Sequence, residues 1–224
     1  MQRGQLDEDE YQIIHLDRDR IDHRYVYRPM KRAVDFFFSL GGLILLSPLF
    51  LIVALLIKFE DHGTIFYKQK RLGRGGKVFY MYKFRSMCMD AEKKLVELKK
   101  YNEIDGAMFK MRHDPRVTRI GKFIRKTSID ELPQLCNVLM GHMSLVGPRP
   151  PLPNEVAQYS EYDKQRLYVT PGCTGLWQVS GRNEVGFNEM VALDLKYIKK
   201  SNLLYDFAII LRTIKIMIVP NGAY

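Results

Sequence analysis

The stretch Arg125-Lys126-Thr127-Ser128-Ile129-Asp130-Glu131-Leu132-Pro133-Gln134-Leu135 sets two adjacent carboxylates between cations and an apolar run. Such a pair can divide labour, one ionised carboxylate acting as nucleophile or metal ligand beside the other. The same residues also read as a helix start. Ser128 followed three residues later by Glu131 fits a capping box, and acidic groups complement a helix N-terminus. Pro133 tests that reading: with Ser128 as N-cap it would be the fifth helical residue and would leave the carbonyl of Ile129 unpaired. A start near Asp130 removes the conflict and puts both carboxylates at a positive helix end, which favours their ionised form.

Candidate cations lie elsewhere in the chain. In Gly147-Pro148-Arg149-Pro150-Pro151 the prolines stiffen the backbone around one guanidinium, a group suited to bidentate phosphate contact; a Pro-rich turn with a solvated Arg is the alternative. Lys83-Phe84-Arg85 puts two cations on one face of an extended segment, and Asp114-Pro115-Arg116 adds a turn with another. The five histidines form no ligand cluster and none is paired with Ser or Cys in a nucleophile motif, so zinc and triad hydrolases gain no support. Cys173, in Pro171-Gly172-Cys173-Thr174-Gly175, fits a small residue in a Gly-rich turn better than a nucleophile. Gly73-Arg74-Gly75-Gly76 lacks the Lys-Ser/Thr ending of a P-loop and reads as a hairpin turn.

The elements that must position these groups begin with an oily segment. Phe36 to Ile57 holds 22 residues without a charge, a helix of about 33 Å against a hydrocarbon core of about 30 Å. Pro48 near its middle predicts a kink, Ser47 can bond a freed carbonyl, and Gly41 and Gly42 loosen the first half. Arg24, Arg28, Lys31 and Arg32 precede the segment, while Lys58, Lys68, Lys70, Arg71, Arg74 and Lys77 follow it, so neither flank resembles a translocated side. A re-entrant hairpin dipping into one leaflet is expected, ahead of a single-pass helix or a soluble core helix. Two short strands, Ile65 to Lys68 and Val78 to Tyr82, flank the glycine turn. An exposed helix is expected over Asp90 to Tyr101. Arg116 to Arg125 carries the pattern of a basic amphipathic helix lying on phosphates, or of a solvated surface helix, while Asn202 to Val219 suits a membrane interface or the protein's own core.

Composition bounds the partners. The 224 residues are 46% hydrophobic and 27% charged, within the range of folded proteins. A formal charge of +10 implies an anionic partner. Residues 1 to 20 carry six acidic against three basic groups, −3, which leaves +13 for the rest. Cys88, Cys136 and Cys173 stand far apart, which suits free thiols rather than a disulfide framework or zinc site.

Together these residues resemble the bacterial sugar transferase family, the monotopic polyprenyl-phosphate phosphoglycosyl transferases. The resemblance runs from Lys31 to the C-terminus. It is carried by Ser47-Pro48, Phe66-Tyr67-Lys68-Gln69-Lys70-Arg71-Leu72-Gly73, Tyr82-Lys83-Phe84-Arg85-Ser86-Met87, Asp114-Pro115-Arg116, Ser128 to Leu135, Met143-Ser144-Leu145-Val146-Gly147-Pro148-Arg149-Pro150, and Pro171 to Asn183. It implies an α+β, helix-rich monotopic membrane protein with an N-terminal re-entrant helix hairpin, a short β-hairpin and interfacial amphipathic helices. An acidic leader over residues 1–30, a membrane helix over 31–60 and a cytoplasmic catalytic domain over 61–224 are expected, at the bacterial inner membrane. It also implies transfer of a sugar 1-phosphate from a nucleotide diphosphate sugar, a UDP-sugar, to polyprenyl (undecaprenyl) phosphate, releasing UMP and starting lipid-linked glycan assembly.

Carried over residue by residue, Asp130 would be the nucleophile that forms an aspartyl phosphosugar, and Glu131 would hold Mg²⁺. Lys83, Arg85, Arg125, Arg149 and Arg116 would meet substrate phosphates. Gln178, Arg182 and Asn183 would shape the nucleotide and sugar site. Membrane lipid is an expected partner, nucleic acid is not, and a homo-oligomer is left open. Two rivals stand beside this reading: a nucleotide-diphosphate-sugar hydrolase using the same carboxylates, and a non-catalytic basic module bound to a membrane surface.

Overall fold

The structure, a computed structural model, describes residues 14–98, 111, 114–180 and 186–218. It is a helix-rich α+β arrangement with two small sheets. In chain order come α1 (Arg18–Asp22), α2 (Tyr27–Leu45), α3 (Ser47–Asp61), β1 (Phe66–Leu72), β2 (Val78–Phe84), α4 (Ala91–Leu98) and α5 (Arg119–Lys126). Then follow α6 (Gln134–Leu139), β3 (Ser144–Val146), α7 (Pro153–Val156), α8 (Glu161–Lys164), β4 (Gly172–Thr174), α9 (Leu176–Ser180), α10 (Phe187–Lys200) and α11 (Leu203–Ile218).

The oily segment is broken where its sequence weakens the helical ladder. α2 and α3 meet at a 60° bend. Leu46 bridges the two helices and Ser47 Oγ donates to the carbonyl of Ile44 at 2.8 Å. Pro48 falls in the first turn of α3, where its missing N–H is tolerated. Among the described residues no single helix is long and apolar enough to cross a membrane, though the bent pair passes on length and composition. Large apolar side chains stand exposed along both legs, among them Phe37, Ile44, Leu45, Leu51 and Ile52, and along α11, among them Leu204, Leu211 and Ile214. Phe38 on α2 and Phe207 on α11 touch edge to face.

β1 and β2 form the expected antiparallel hairpin, in register from Phe66 opposite Phe84 to Leu72 opposite Val78. Gly75 and Gly76, at φ 65° and 76°, make the turn that a β-carbon would strain. The strands run longer than their apolar alternation suggests, because Gln69 to Leu72 are paired through Val78 to Met81. A second sheet, β3 parallel to β4, has no strand signal in the sequence. It depends on glycine: a Cβ on Gly172 would sit 2.0 Å from the amide nitrogen of Gly147.

Three clusters hold these layers. Ile21, Val146, Leu176, Val191, Leu195 and Ile209 join α1, β3, α9, α10 and α11. Val53, Ile57, Phe84 and Ile124 join α3 to β2 and α5. Phe79, Met81, Val138 and Met143 join β2 to α6. Residues 14–22, assigned by sequence to the leader, are folded onto this body: Ile14 and Leu16 pack against the first cluster, and Leu16 N donates to Gln165 Oε1 at 2.6 Å.

Side chains also close helix ends that backbone bonds leave open. Arg32 donates to the carbonyls of Val138 and Leu139 at the end of α6. Arg24 does the same for Ile198 and Lys199 at the end of α10. Glu60, near the end of α3, accepts from the amides of Arg119 and Ile120 at the start of α5.

Candidate active site

Asp130 and Glu131 are set by a left-handed step in the backbone. Ser128 adopts φ 56° and ψ 15°, and with His62 it is one of the two described non-glycine residues at positive φ. A residue held there carries strain that the surrounding structure must offset. The chain then makes one 3-10 turn over Ile129–Glu131, and α6 begins only at Gln134. This corrects both helix starts drawn from sequence. Ser128 makes no capping bond, and Pro133 precedes the helix instead of interrupting it. The turn sends Ile129 toward the cluster beneath α3 and α5. Asp130 is left 9% exposed and Glu131 in solvent.

Burial decides the chemistry of Asp130. It raises the carboxyl from 3.8 to about 6; Lys83 and Arg125 act in the opposite direction, and the negative charge of Glu131 adds to the rise. The sequence expectation of a helix end favouring the ionised form is therefore reversed in direction. At pH 7 a group with a pKa of about 6 is still roughly nine-tenths ionised, and it carries less hydration than an exposed carboxylate. Lys83, on β2, donates to Glu131 Oε1 at 2.6 Å. Lys83, Arg125, Asp130 and Glu131 thus come together from β2, α5 and the 3-10 turn.

Arg149 enters from the proline segment after β3. That segment is pinned on both sides: Gly172 N donates to the carbonyl of Pro148, Leu72 N to that of Pro151, and Arg71 Nη1 to that of Pro150 at 2.9 Å. Arg71 was not singled out as a site residue. It is buried, and desolvation followed by the charge of Arg149 lowers its pKa to about 10, while Glu131 acts in the opposite direction. The guanidinium groups of Arg71 and Arg149 therefore share one neighbourhood with Glu131. β1 also carries Lys68 and Lys70, so the sequence does not set Arg71 apart; its burial in the folded chain does.

Other sequence candidates are placed differently. Arg85 forks onto both oxygens of Asp61 at the end of α3 and also donates to the carbonyls of Thr64 and Met87. Arg116 binds Asp114 through Nε at 2.9 Å and Nη2 at 2.5 Å, which holds the Asp114 carboxyl below its usual range. Gln178 donates to the carbonyl of Cys173 at 3.2 Å. Burial raises the pKa of the Cys173 thiol, which keeps it protonated and inert. Arg182 and Asn183 lie outside the described residues.

Among the described residues no cluster of three or more His, Cys, Asp or Glu side chains is disposed to hold a metal. Magnesium does not require one, because it takes one or two carboxylates and completes its shell with water and substrate phosphates. The exposed Glu131 carboxylate, next to a buried one, fits that donor set.

A model of the bacterial sugar transferase family matches residues 26–220. The galactosyl transferase CpsE of Streptococcus agalactiae is 46% identical over 202 residues, 90% of this chain and 45% of that protein. The undecaprenyl-phosphate galactose phosphotransferase of Salmonella typhimurium is 45% identical over 201 residues, 88% of this chain and 42% of that protein. The chain thus spans less than half the length of these two. The exopolysaccharide production protein ExoY of Sinorhizobium fredii is 43% identical over 198 residues, covering 87% of this chain and 88% of its own. A match that runs from the start of α2 through the acidic pair and into the residues after α11 shows that the chain belongs to the bacterial sugar transferase family.

Proposed function

We propose that the protein transfers a sugar 1-phosphate from a UDP-sugar to undecaprenyl phosphate. The observation that carries this reading is the acidic pair, one carboxylate buried and the other held by Lys83, with Arg125, Arg149 and Arg71 around it. The similarity to an undecaprenyl-phosphate galactose phosphotransferase supports the acceptor and the sugar chemistry, and that to an exopolysaccharide production protein supports a role in glycan assembly.

In the first half-reaction an Asp130 oxygen attacks the sugar-side phosphorus. An oxygen–phosphorus bond forms, the bridging diphosphate bond breaks, and UMP leaves with the electron pair. In the second, an oxygen of undecaprenyl phosphate attacks the same phosphorus and Asp130 departs as carboxylate. A carboxylate nears a diphosphate only if cations screen the repulsion, and phosphoryl transfer depends chiefly on positioning and charge stabilisation. Arg125 and Lys83 supply charge on the Asp130 side, and Arg149, steadied by Arg71, on the other. Magnesium held by Glu131 would neutralise the diphosphate and stabilise the leaving group.

The reading places α2 and α3 as a re-entrant hairpin in the bacterial inner membrane, with the site on the cytoplasmic side. The 60° bend, the exposed apolar faces of α2, α3 and α11, and the basic residues on both flanks support it. Cysteine labelling ahead of α2 and after α3 is expected to report one side; labelling on opposite sides rules out the hairpin. For the chemistry, a UDP-sugar panel with Mg²⁺ is expected to give about one equivalent of UMP per enzyme without acceptor, and steady release once undecaprenyl phosphate is added. Asp130→Asn is expected to abolish both. Wild-type turnover in that variant refutes the nucleophile, and steady release without acceptor favours the hydrolase.

A further inference from the structure

A cavity of about 450 Å³ lies among α1, the first turns of α2, the end of α10 and the segment before β4. It shares no lining residue with the acidic pair, Lys83, Arg125, Arg71 or Arg149. Its volume is that of a small-molecule site. Five cations line it, Arg24, Arg28, Lys31, Arg32 and Arg74, against two carboxylates, Asp22 and Asp35.

Those carboxylates are already in use. Asp22 is shared by Arg18, Arg28 and Arg74. Asp35 is buried and accepts from Leu145 N at 3.0 Å. Lys31 is matched by Asp206, 2.7 Å away. Arg24 and Arg32 spend their bonds on neutral carbonyls at helix ends. With Asp206 counted, two positive charges remain in excess in the lining. The guanidinium groups are already fixed by those carbonyls, so an anion entering the cavity does not have to order them. Asp35 is the last charged residue before the uncharged run that begins at Phe36. The cavity therefore lies where α2 passes from polar to apolar surroundings.

We infer that this cavity is a second anion site, one that takes a phosphate ester: the headgroup of an acidic phospholipid, or a free phosphate from solution. The headgroup source rests on the membrane reading of α2 and α3; the anion site does not.

The test uses the full chain in detergent micelles, titrated by calorimetry with short-chain phosphatidylglycerol, phosphatidylcholine of the same chain length, and inorganic phosphate. Saturable binding of phosphatidylglycerol is expected, weakened about tenfold by Arg28→Gln or Arg24→Gln, the scale of one charged hydrogen bond. Arg28→Lys is expected to restore much of it, and Lys83→Met, in the Asp130 site, to leave it unchanged. Should Arg24→Gln unfold because α10 loses its cap, Arg28→Gln carries the test, since among the described residues its guanidinium bonds only Asp22. Phosphatidylglycerol binding alone assigns the lipid source; equal binding of inorganic phosphate with the same response to the variants assigns the free one. Equal affinity for phosphatidylcholine, indifference to both Arg variants, or loss on Lys83→Met overturns the site.

Discussion

The ammonium of Lys83 sits 2.6 Å from Oε1 of Glu131, so this cation bonds the exposed carboxylate and acts on the buried Asp130 through space. One lysine therefore serves both acidic residues differently. It holds Glu131 in place and limits how far burial raises Asp130.

The pH dependence of turnover follows from that arrangement. Asp130 must be ionised to attack, so kcat/KM is expected to fall on the acid side with a midpoint near the carboxyl value of about 6. Replacing Lys83 with Met removes the largest influence holding that value down. The acid limb is expected to move up by about one pH unit. A limb that stays in place in Lys83→Met would show that Lys83 does not act on the nucleophile.

Asp130 also lowers stability. Its folded-state pKa of about 6 lies above 3.8, so the folded protein holds the proton more tightly than the unfolded chain. The cost of ionising it is absent below pH 3.8, grows as pH rises to about 6, and is complete above that. Its full size is on the order of 3 kcal/mol. Asp130→Asn is therefore expected to unfold at higher temperature than the parent at pH 8, with the gap closing toward pH 4. An equal gap at both pH values would mean that the substitution acts through packing instead of charge.

Arg85 distinguishes a strut from a substrate ligand. Its guanidinium is 7% exposed and forked onto Asp61, which ties the end of α3 to the end of β2. Arg85→Ala is expected to cost on the order of 2 kcal/mol, below the usual cost of breaking a buried pair because Asp61 is partly solvated. Adding Asp61→Asn should cost little more, because the two side chains act as one unit. A variant of normal stability with raised KM for the donor would instead make Arg85 a phosphate ligand.

The acidic pair, the hairpin turn and the break at Ser47-Pro48 were legible because each depends on neighbours in sequence: adjacent charges, consecutive glycines, a proline without an amide hydrogen. The start of α6 was not, since the left-handed Ser128 resets the chain by a conformation that serine seldom adopts. β3 and β4 are three residues each and depend on the close approach of Gly147 and Gly172, which no alternation announces. The partners of Arg85 and Arg116 divide the same way. Asp114 stands two residues from Arg116 and fits the turn read there, whereas Asp61 lies 24 residues before Arg85 and meets it only in the folded chain. The direction of the Asp130 shift was missed because a local helix dipole was weighed and burial, a property of the whole fold, was not visible.

Asp206 is held by three side chains at once: Tyr27 and Lys31 from α2 and, through its other oxygen, Tyr197 from α10. The residues of that knot are up to 179 positions apart. At a synthesis rate of about 5–20 residues per second, Lys31 emerges roughly 10–35 s before its partner. Throughout that interval Lys31 lacks Asp206, and α2 can dock only through its apolar surface and through the bonds of Arg32 and Asp35 to residues 138–145. α11 then acts as the latch of the fold, and a chain stopped short of it would lack the carboxylate that bonds Lys31 at the root of the oily segment.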